Sequence, residues 1–417
     1  MPVDLARGQA ARPRAATAAR LTPAWPSATL EARIGTPVTL KCEHLQRTGS
    51  FKIRGATNFV AQLDQAARAR GLVVASAGNH AQGVALAGST AGIDVTVVMP
   101  ATAPLAKVNA SIGYGARVVL EGSSLEDARK RATAIAEAEG RIYVPPFDDD
   151  AVIAGQGTVG LEIVEQVPDL TEVIVPAGGG GLLAGVAVAV KSLKPSVRVI
   201  GVQSLAMDGL ARSFAAQKLT SAPAARTIAD GAAVAGPSAR TFELIQRYVD
   251  DVVSVEEEAI AAAILLLVER ARFVVEGAGA LGVAALLSHA HAPSGHAVVV
   301  LSGGNIDVNL LGSIVRHGLV VAGRYQQLEI EVTDTPGELA LVTRAVADAG
   351  GNILEVEHNR EAPDLAVGVA LLQLLLEVNG PEHFDDVIRH LREQGLRGTP
   401  GSRARLAIPG ARRLHDV

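Results

Sequence analysis

The sequence predicts an α/β fold built on parallel sheets, and three observations carry that prediction. From about residue 72, short β-branched runs alternate with longer Ala-rich stretches that repeat at helical spacing. Most of the runs are apolar on both faces, as strands covered by helices on each side must be. Three of them end in glycine-rich turns, and open parallel sheets bind ligands beyond the carboxyl ends of their strands, where such turns let backbone come close.

In chain order, the expected strands are 72–75, 95–99, 117–120, 141–144, 172–175, 197–202 and 297–301. The glycine-rich turns are Ser76-Ala77-Gly78-Asn79-His80, Gly178-Gly179-Gly180-Gly181 and Ser302-Gly303-Gly304-Asn305. The pattern changes after Gly323. Residues 326–333 alternate like a strand, and Asp334-Thr335-Pro336-Gly337-Glu338-Leu339 turns into a helix running through residue 349. Strands at 352–360 and 366–378, a helix over 382–394 and a last strand near 403–408 complete a βαββαβ order, the mark of a separate ferredoxin-like unit.

The bulk numbers exclude several classes. A chain of 417 residues with 48% hydrophobic content buries at least one large core, and its length suggests two or three domains. The formal net charge of -5 is spread without a basic stripe, so neither nucleic acid nor an anionic membrane is a favoured partner, and a small molecule is. Cys42 is the single cysteine, which rules out an intrachain disulfide and a multi-cysteine zinc site and fits a reducing cytoplasm. Residues 1–20, rich in Ala and Arg, read as a frayed arm without the apolar stretch of a secretory signal. No run reaches the roughly 20 apolar residues of a spanning helix, so a soluble protein is expected.

The tetraglycine loop follows a strand and opens an expected helix over 182–193. Four residues without Cβ expose successive backbone N–H groups at a positive helix end, a cradle for phosphate; the alternative is a tight turn that serves helix–sheet packing. A nucleoside-triphosphate loop is disfavoured, because no Gly-Lys-Ser/Thr ending follows. Gly179-x-Gly181-x-x-Ala184 fits the dinucleotide fingerprint, but Gln203 stands where an acid is expected to bind the ribose, which weakens a nicotinamide-dinucleotide dehydrogenase. Lys52 lies in Glu43-His44-Leu45-Gln46-Arg47-Thr48-Gly49-Ser50-Phe51-Lys52-Ile53-Arg54-Gly55-Ala56, after a small polar turn and at the start of an expected helix.

On this segment the chain resembles the threonine/serine dehydratase family of fold-type II pyridoxal-phosphate enzymes. Ser76-Ala77-Gly78-Asn79-His80-Ala81-Gln82-Gly83, Thr227-Ile228-Ala229-Asp230-Gly231, Glu276-Gly277-Ala278-Gly279-Ala280 and Ser302-Gly303-Gly304-Asn305 carry the same resemblance, in family order. It implies doubly wound parallel sheets in two subdomains, with a catalytic domain over 1–324 in which a small subdomain of roughly 45–150 is inserted. It also implies pyridoxal 5'-phosphate bound covalently by Lys52, with Phe51, Asn79, Gly178, Gly179, Gly180, Gly181, Leu182, Gly231 and Ser302 around the cofactor, and Ser76, Asn79 and His80 around the substrate carboxylate. No metal is expected, although some relatives hold a divalent cation where this chain has Gln203, with Asp208 the nearest carboxylate. Glu276 fits its motif without a role that spacing explains.

The activity so implied is a threonine ammonia-lyase reaction giving 2-oxobutanoate, with serine to pyruvate on the side. A serine dehydratase, a serine racemase and a non-catalytic amino-acid-binding regulator are the alternatives. Related racemases carry a serine at the position of Ala77, so the resemblance implies weak racemisation here. Asp334-Thr335-Pro336-Gly337-Glu338-Leu339 with Asn352-Ile353-Leu354 is similar to an ACT domain, over about 326–400, leaving 401–417 as a C-terminal strand or tail. That likeness implies an amino-acid effector, or a purely dimerising unit, and a homo-oligomer.

Overall fold

The computed structural model describes residues 3–223, 225–361 and 365–401, and these divide into two compact units, 1–307 and 308–417. The first unit holds two sheets. The larger runs in the order Ala24–Pro26, Val38–Lys41, Ala297–Val300, Glu172–Pro176, Arg198–Ser204, Asp251–Val255, all parallel except the first pair. The smaller is wholly parallel, in the order Arg117–Leu120, Val95–Met99, Leu72–Ala75, Ile142–Tyr143. The α/β class and the parallel sheets are therefore as the sequence indicates.

Burial explains why these segments pair as they do. Leu72–Ala75, Val95–Met99, Glu172–Pro176 and Ala297–Val300 are buried at every residue, the condition of a strand covered on both faces. The helices Asp150–Gln166 and Gly181–Leu193 lie against each other inside the larger sheet's core. Glycine makes that contact close: a Cβ at Gly185 would stand 2.4 Å from the Ile153 carbonyl oxygen. This packing fixes the start of Gly181–Leu193, and with it the glycine loop.

The expectation of a frayed N-terminal arm is corrected. Leu5–Ala15 is a helix, capped by Asp4, whose carboxylate accepts from the Arg7 N–H at 2.9 Å. It docks because Ala11 and Ala15 are small enough to bury, while Arg7 pairs with Asp150 at 2.8 Å and Arg12 pairs with Glu165. An arginine-rich segment reads as solvated until its carboxylate partners, more than 100 residues away, are in view.

The second unit contains a four-stranded antiparallel sheet in the order Asn352–Asn359, Val369–Glu377, Tyr325–Thr333, Gly398–Pro400, with the helices Glu338–Asp348 and Pro381–Glu393. Leu328, Ile330, Leu372, Leu374, Val342, Val346, Val387 and Leu391 form its core. The last strand expected near 403–408 lies outside the described residues. The helix Val308–Val321 groups with this unit, whereas the sequence reading places the boundary at 324 to 326.

Candidate active site

The loop that presents Lys52 is stitched to the turn after strand Ala297–Val300. His44 N–H donates to the Leu301 carbonyl at 2.9 Å, Phe51 N–H to Ser302 O at 3.1 Å and Gly304 N–H to Gly49 O at 2.8 Å. Lys52 is the first residue of the helix Lys52–Ala61. The helix Asn79–Thr90 crosses it at Gly83, where a Cβ would stand 3.1 Å from the Lys52 carbonyl carbon.

Two residues further on, Arg54 anchors this helix. Its guanidinium donates to both oxygens of Glu43, each at 2.8 Å, and to both oxygens of Glu162 at 2.6 and 2.8 Å. Lys41, fully buried, adds a bond to Glu162 at 2.5 Å. Burial works against the charge on Glu43, but the Arg54 guanidinium outweighs it and holds the carboxyl below its ordinary range. Two cations thus face two carboxylates, and the charges of this cluster balance.

The Lys52 amine sits in a cavity of about 570 Å³ and donates to the Pro146 carbonyl at 3.0 Å. Burial pulls its pKa down to about 8, against the opposing pull of Glu276. An amine titrating there keeps a usable free-base fraction near neutral pH, the property of a nucleophile or general base. Phe51 flanks it, with the ammonium 5.3 Å from the ring centroid.

The tetraglycine loop and Leu182 line the same cavity. Side chains have no room there: a Cβ at Gly179 would stand 2.5 Å from the Phe147 ring, and one at Gly178 would stand 3.0 Å from Ala232 Cα. Gly180 takes φ +91°, the left-handed region that glycine enters without strain. The helix Gly181–Leu193 begins at the loop, so its first N–H groups and its positive end face the cavity.

The sequence-expected residues Ser76, Asn79, His80, Gly231 and Ser302 all line this cavity as well. Asn79 opens its helix, and its amide is held at both ends: Nδ2 donates to Glu276 at 2.6 Å, and Oδ1 accepts from Asn305 Nδ2 at 2.5 Å. Ser76 Oγ accepts from the Gly78 N–H at 3.1 Å. The His80 ring is buried and bonded through Nε2 to the Val144 carbonyl at 2.9 Å, and burial, with Lys52 adding to it, pulls its pKa down to about 3. It is therefore neutral, with Nε2 carrying the proton and Nδ1 an acceptor. His80 offers an anion its backbone N–H at a helix start and no charge.

The family model described as Pyridoxal-phosphate dependent enzyme matches residues 16–303. The chain belongs to that family. It is 48% identical to an L-threonine ammonia-lyase of Thermotoga maritima, across 88% of this chain and 92% of the relative. Among solved structures, the processed form of threonine deaminase isoform 2 from Solanum lycopersicum superposes with a TM-score of 0.72 at 35% identity, covering 76% of this chain and 90% of that one. Maize serine racemase gives the same TM-score at 36% identity, covering 76% of this chain and 100% of that one.

The family's cofactor, pyridoxal 5'-phosphate, fits the residues present. Its phosphate needs backbone N–H donors in a cradle without side chains, and its aldehyde needs a desolvated amine; the glycine loop and Lys52 supply both within one cavity. Several residues of this family member escaped the sequence reading. Phe147 walls the glycine loop, Pro146 receives the lysine amine, and Lys107 pairs at 3.1 Å with Asp230 at the cavity's edge. None carries a local signal, since each matters through a partner distant in sequence. Glu276 gains a place: it is buried beside Asn79, and its pKa is raised to about 7 by burial first and by Asp230 second.

Gln203 has its own employment. Its Oε1 accepts from the Leu210 and Ala211 N–H groups, both at 3.0 Å, while Asp208 pairs with Arg212 at 2.6 Å. Among the described residues no cluster of three His, Cys, Asp or Glu side chains is arranged to hold a metal ion, and no helix is long and apolar enough to cross a membrane. Burial pushes the Cys42 thiol up to about 12, which removes it as a nucleophile.

Proposed function

We propose that the chain is a threonine ammonia-lyase that converts L-threonine to 2-oxobutanoate and ammonia, with serine to pyruvate as a side activity. The observation that carries this reading is the desolvated amine of Lys52 facing a side-chain-free glycine cradle in one cavity. The names of the Thermotoga and Solanum relatives support the substrate class.

Lys52 would hold the cofactor aldehyde, Gly178, Gly179, Gly180, Gly181 and Leu182 its phosphate, Asn79 its ring hydroxyl and Ser302 its ring nitrogen, with Phe51 and Gly231 beside it. When bound, the cofactor supplies an electron sink for the carbanion at Cα. The chain's own groups do the rest. At pH 7 an amine of pKa about 8 is about a tenth unprotonated, so the Lys52 Nζ, once released, takes the Cα proton. Ser76 and Asn79, with the N–H groups at the start of Asn79–Thr90, orient the substrate carboxylate, and neutral His80 adds no competing cation. The β-hydroxyl takes up a proton and leaves as water, and the enamine so formed tautomerises to an imine that one water hydrolyses to the 2-oxo acid and ammonia.

The second unit is assigned to regulation by an amino-acid effector, in a homo-oligomeric cytoplasmic enzyme. Purified protein fed L-threonine, with and without branched-chain amino acids as trial effectors, should release 2-oxobutanoate and ammonia in equal amounts, and Lys52→Ala should abolish turnover. Equal turnover of L-serine into D-serine would favour the racemase instead, and no turnover of either in cofactor-saturated protein would favour a binding regulator.

A further inference from the structure

A loop that binds an anion through backbone N–H groups must solve a second problem, because each peptide plane that turns its N–H toward the ligand turns a carbonyl away from it. In Gly178–Gly181 the problem is acute. Without Cβ atoms the peptides rotate with little steric resistance, so nothing in the glycines themselves chooses the orientation. A partner behind the loop has to choose it.

That partner is Thr241, which is fully buried and stands on the helix Ala239–Tyr248. Its hydroxyl donates to the Gly179 carbonyl at 2.9 Å, across 62 residues of sequence. Its Cβ lies 3.1 Å from where a Gly180 Cβ would be, so the contact is tight as well as polar. The same oxygen accepts from the Ser238 N–H at 3.1 Å, while Ser238 Oγ accepts from the Thr241 N–H at 3.2 Å, which closes a reciprocal cap on the helix. Other oxygens near the hydroxyl, Ser238 O at 3.2 Å and Ser238 Oγ at 3.1 Å, are farther away than Gly179 O. The proton therefore goes to the loop.

We propose that Thr241 is a positioning residue for the cofactor phosphate: by holding the Gly179 carbonyl from behind, it fixes the Gly180 N–H toward the anion and polarises that peptide as a donor. The inference rests on the phosphate reading of the glycine loop given above. It requires the hydroxyl and not merely the helix cap, and the two roles are separable. Thr241→Val keeps the shape but leaves the Gly179 carbonyl buried without a donor. Thr241→Ser keeps the donor. Ser238→Ala weakens the cap and leaves the hydroxyl in place.

The test uses full-length apoprotein of each variant, titrated with pyridoxal 5'-phosphate by fluorescence and with inorganic phosphate as competitor, and the 31P chemical shift of the bound cofactor. Thr241→Val should bind both cofactor and inorganic phosphate about tenfold more weakly and shift the 31P signal. Thr241→Ser should stay within about threefold of the parent protein, and Ser238→Ala should lower the Tm while leaving affinity within about twofold. Parental affinity in Thr241→Val, or an equal loss in Ser238→Ala, overturns the proposal. If inorganic phosphate fails to compete with the cofactor even in the parent protein, the loop is no phosphate site, and the functional reading falls together with this one.

Discussion

Lys52 and Glu276 share a cavity, and burial drives each toward its neutral form, the amine down to about 8 and the acid up to about 7. For Glu276 the folded pKa lies above its ordinary value of 4.5, so between those two values the folded state binds more protons than the unfolded one. Its contribution is complete below about pH 4.5 and is lost as pH rises through 7, a change on the order of 3 kcal/mol. Urea unfolding of the apoprotein should show that decline, and Glu276→Gln, which cannot ionise, should flatten it; equal slopes would mean the acid is not held neutral. Lys52 acts at higher pH with the opposite slope, because its folded pKa is depressed: stability gains between about 8 and 10.5 as the unfolded chain alone stays protonated. At this scale the sequence shows residue types and motifs, and so it points to Lys52, Asn79 and Ser302. It cannot show that His80 is locked neutral against Val144, or that Glu276 reaches Asn79, since both depend on distances between segments.

One side chain of the helix Lys52–Ala61 ties it to two other segments. Arg54 spans from Glu43, in the turn before it, to Glu162 on Asp150–Gln166, and Lys41 completes the balance. Arg54→Met would leave two buried carboxylates facing a single lysine. Breaking a buried pair from one side costs about 3 to 5 kcal/mol, and chemical denaturation should read a loss of that size. The cofactor should leave more readily too, because the same helix carries Lys52 at its first position. A midpoint within about 0.5 kcal/mol of the parent would show that the network contributes little. Strand legibility follows the same logic of partners. Leu72–Ala75 and Val95–Met99 are apolar throughout and declare themselves. Val38–Lys41 hides, since Thr39 and Lys41 read as an exposed face, yet both are buried, Lys41 by its ion pair and Thr39 by a bond to His296. Ala24–Pro26 and Asp251–Val255 are edges of the sheet, where burial leaves a weaker imprint on sequence.

Across the whole molecule, the large cavity and the second core fall on separate stretches of chain. Every residue lining the large cavity lies between Phe51 and Asn305, while the core built on Leu328, Leu374, Val387 and Leu391 belongs to the second unit. The sequence makes this division visible because the strand period changes character: buried parallel strands carry continuous apolar runs, whereas Tyr325–Thr333 alternates, as a sheet with one covered face requires. Were the second unit to bind an effector, that ligand would influence the cavity only through different affinities for two states of the chain, and the coupling would be reciprocal. A chain ended after Asp307, the end of the first unit, should therefore retain threonine turnover within about threefold, and its response to an amino-acid effector bound by the second unit should vanish, a typical coupling being about 1 to 3 kcal/mol. The reciprocal arm is equally strict: in the full chain, loading the cavity with substrate should change effector affinity by the same factor that the effector changes substrate affinity, as read by calorimetry. Unequal factors would place the effector elsewhere in the cycle than in a binding equilibrium, and full modulation of the shortened chain would move its site into residues 1–307.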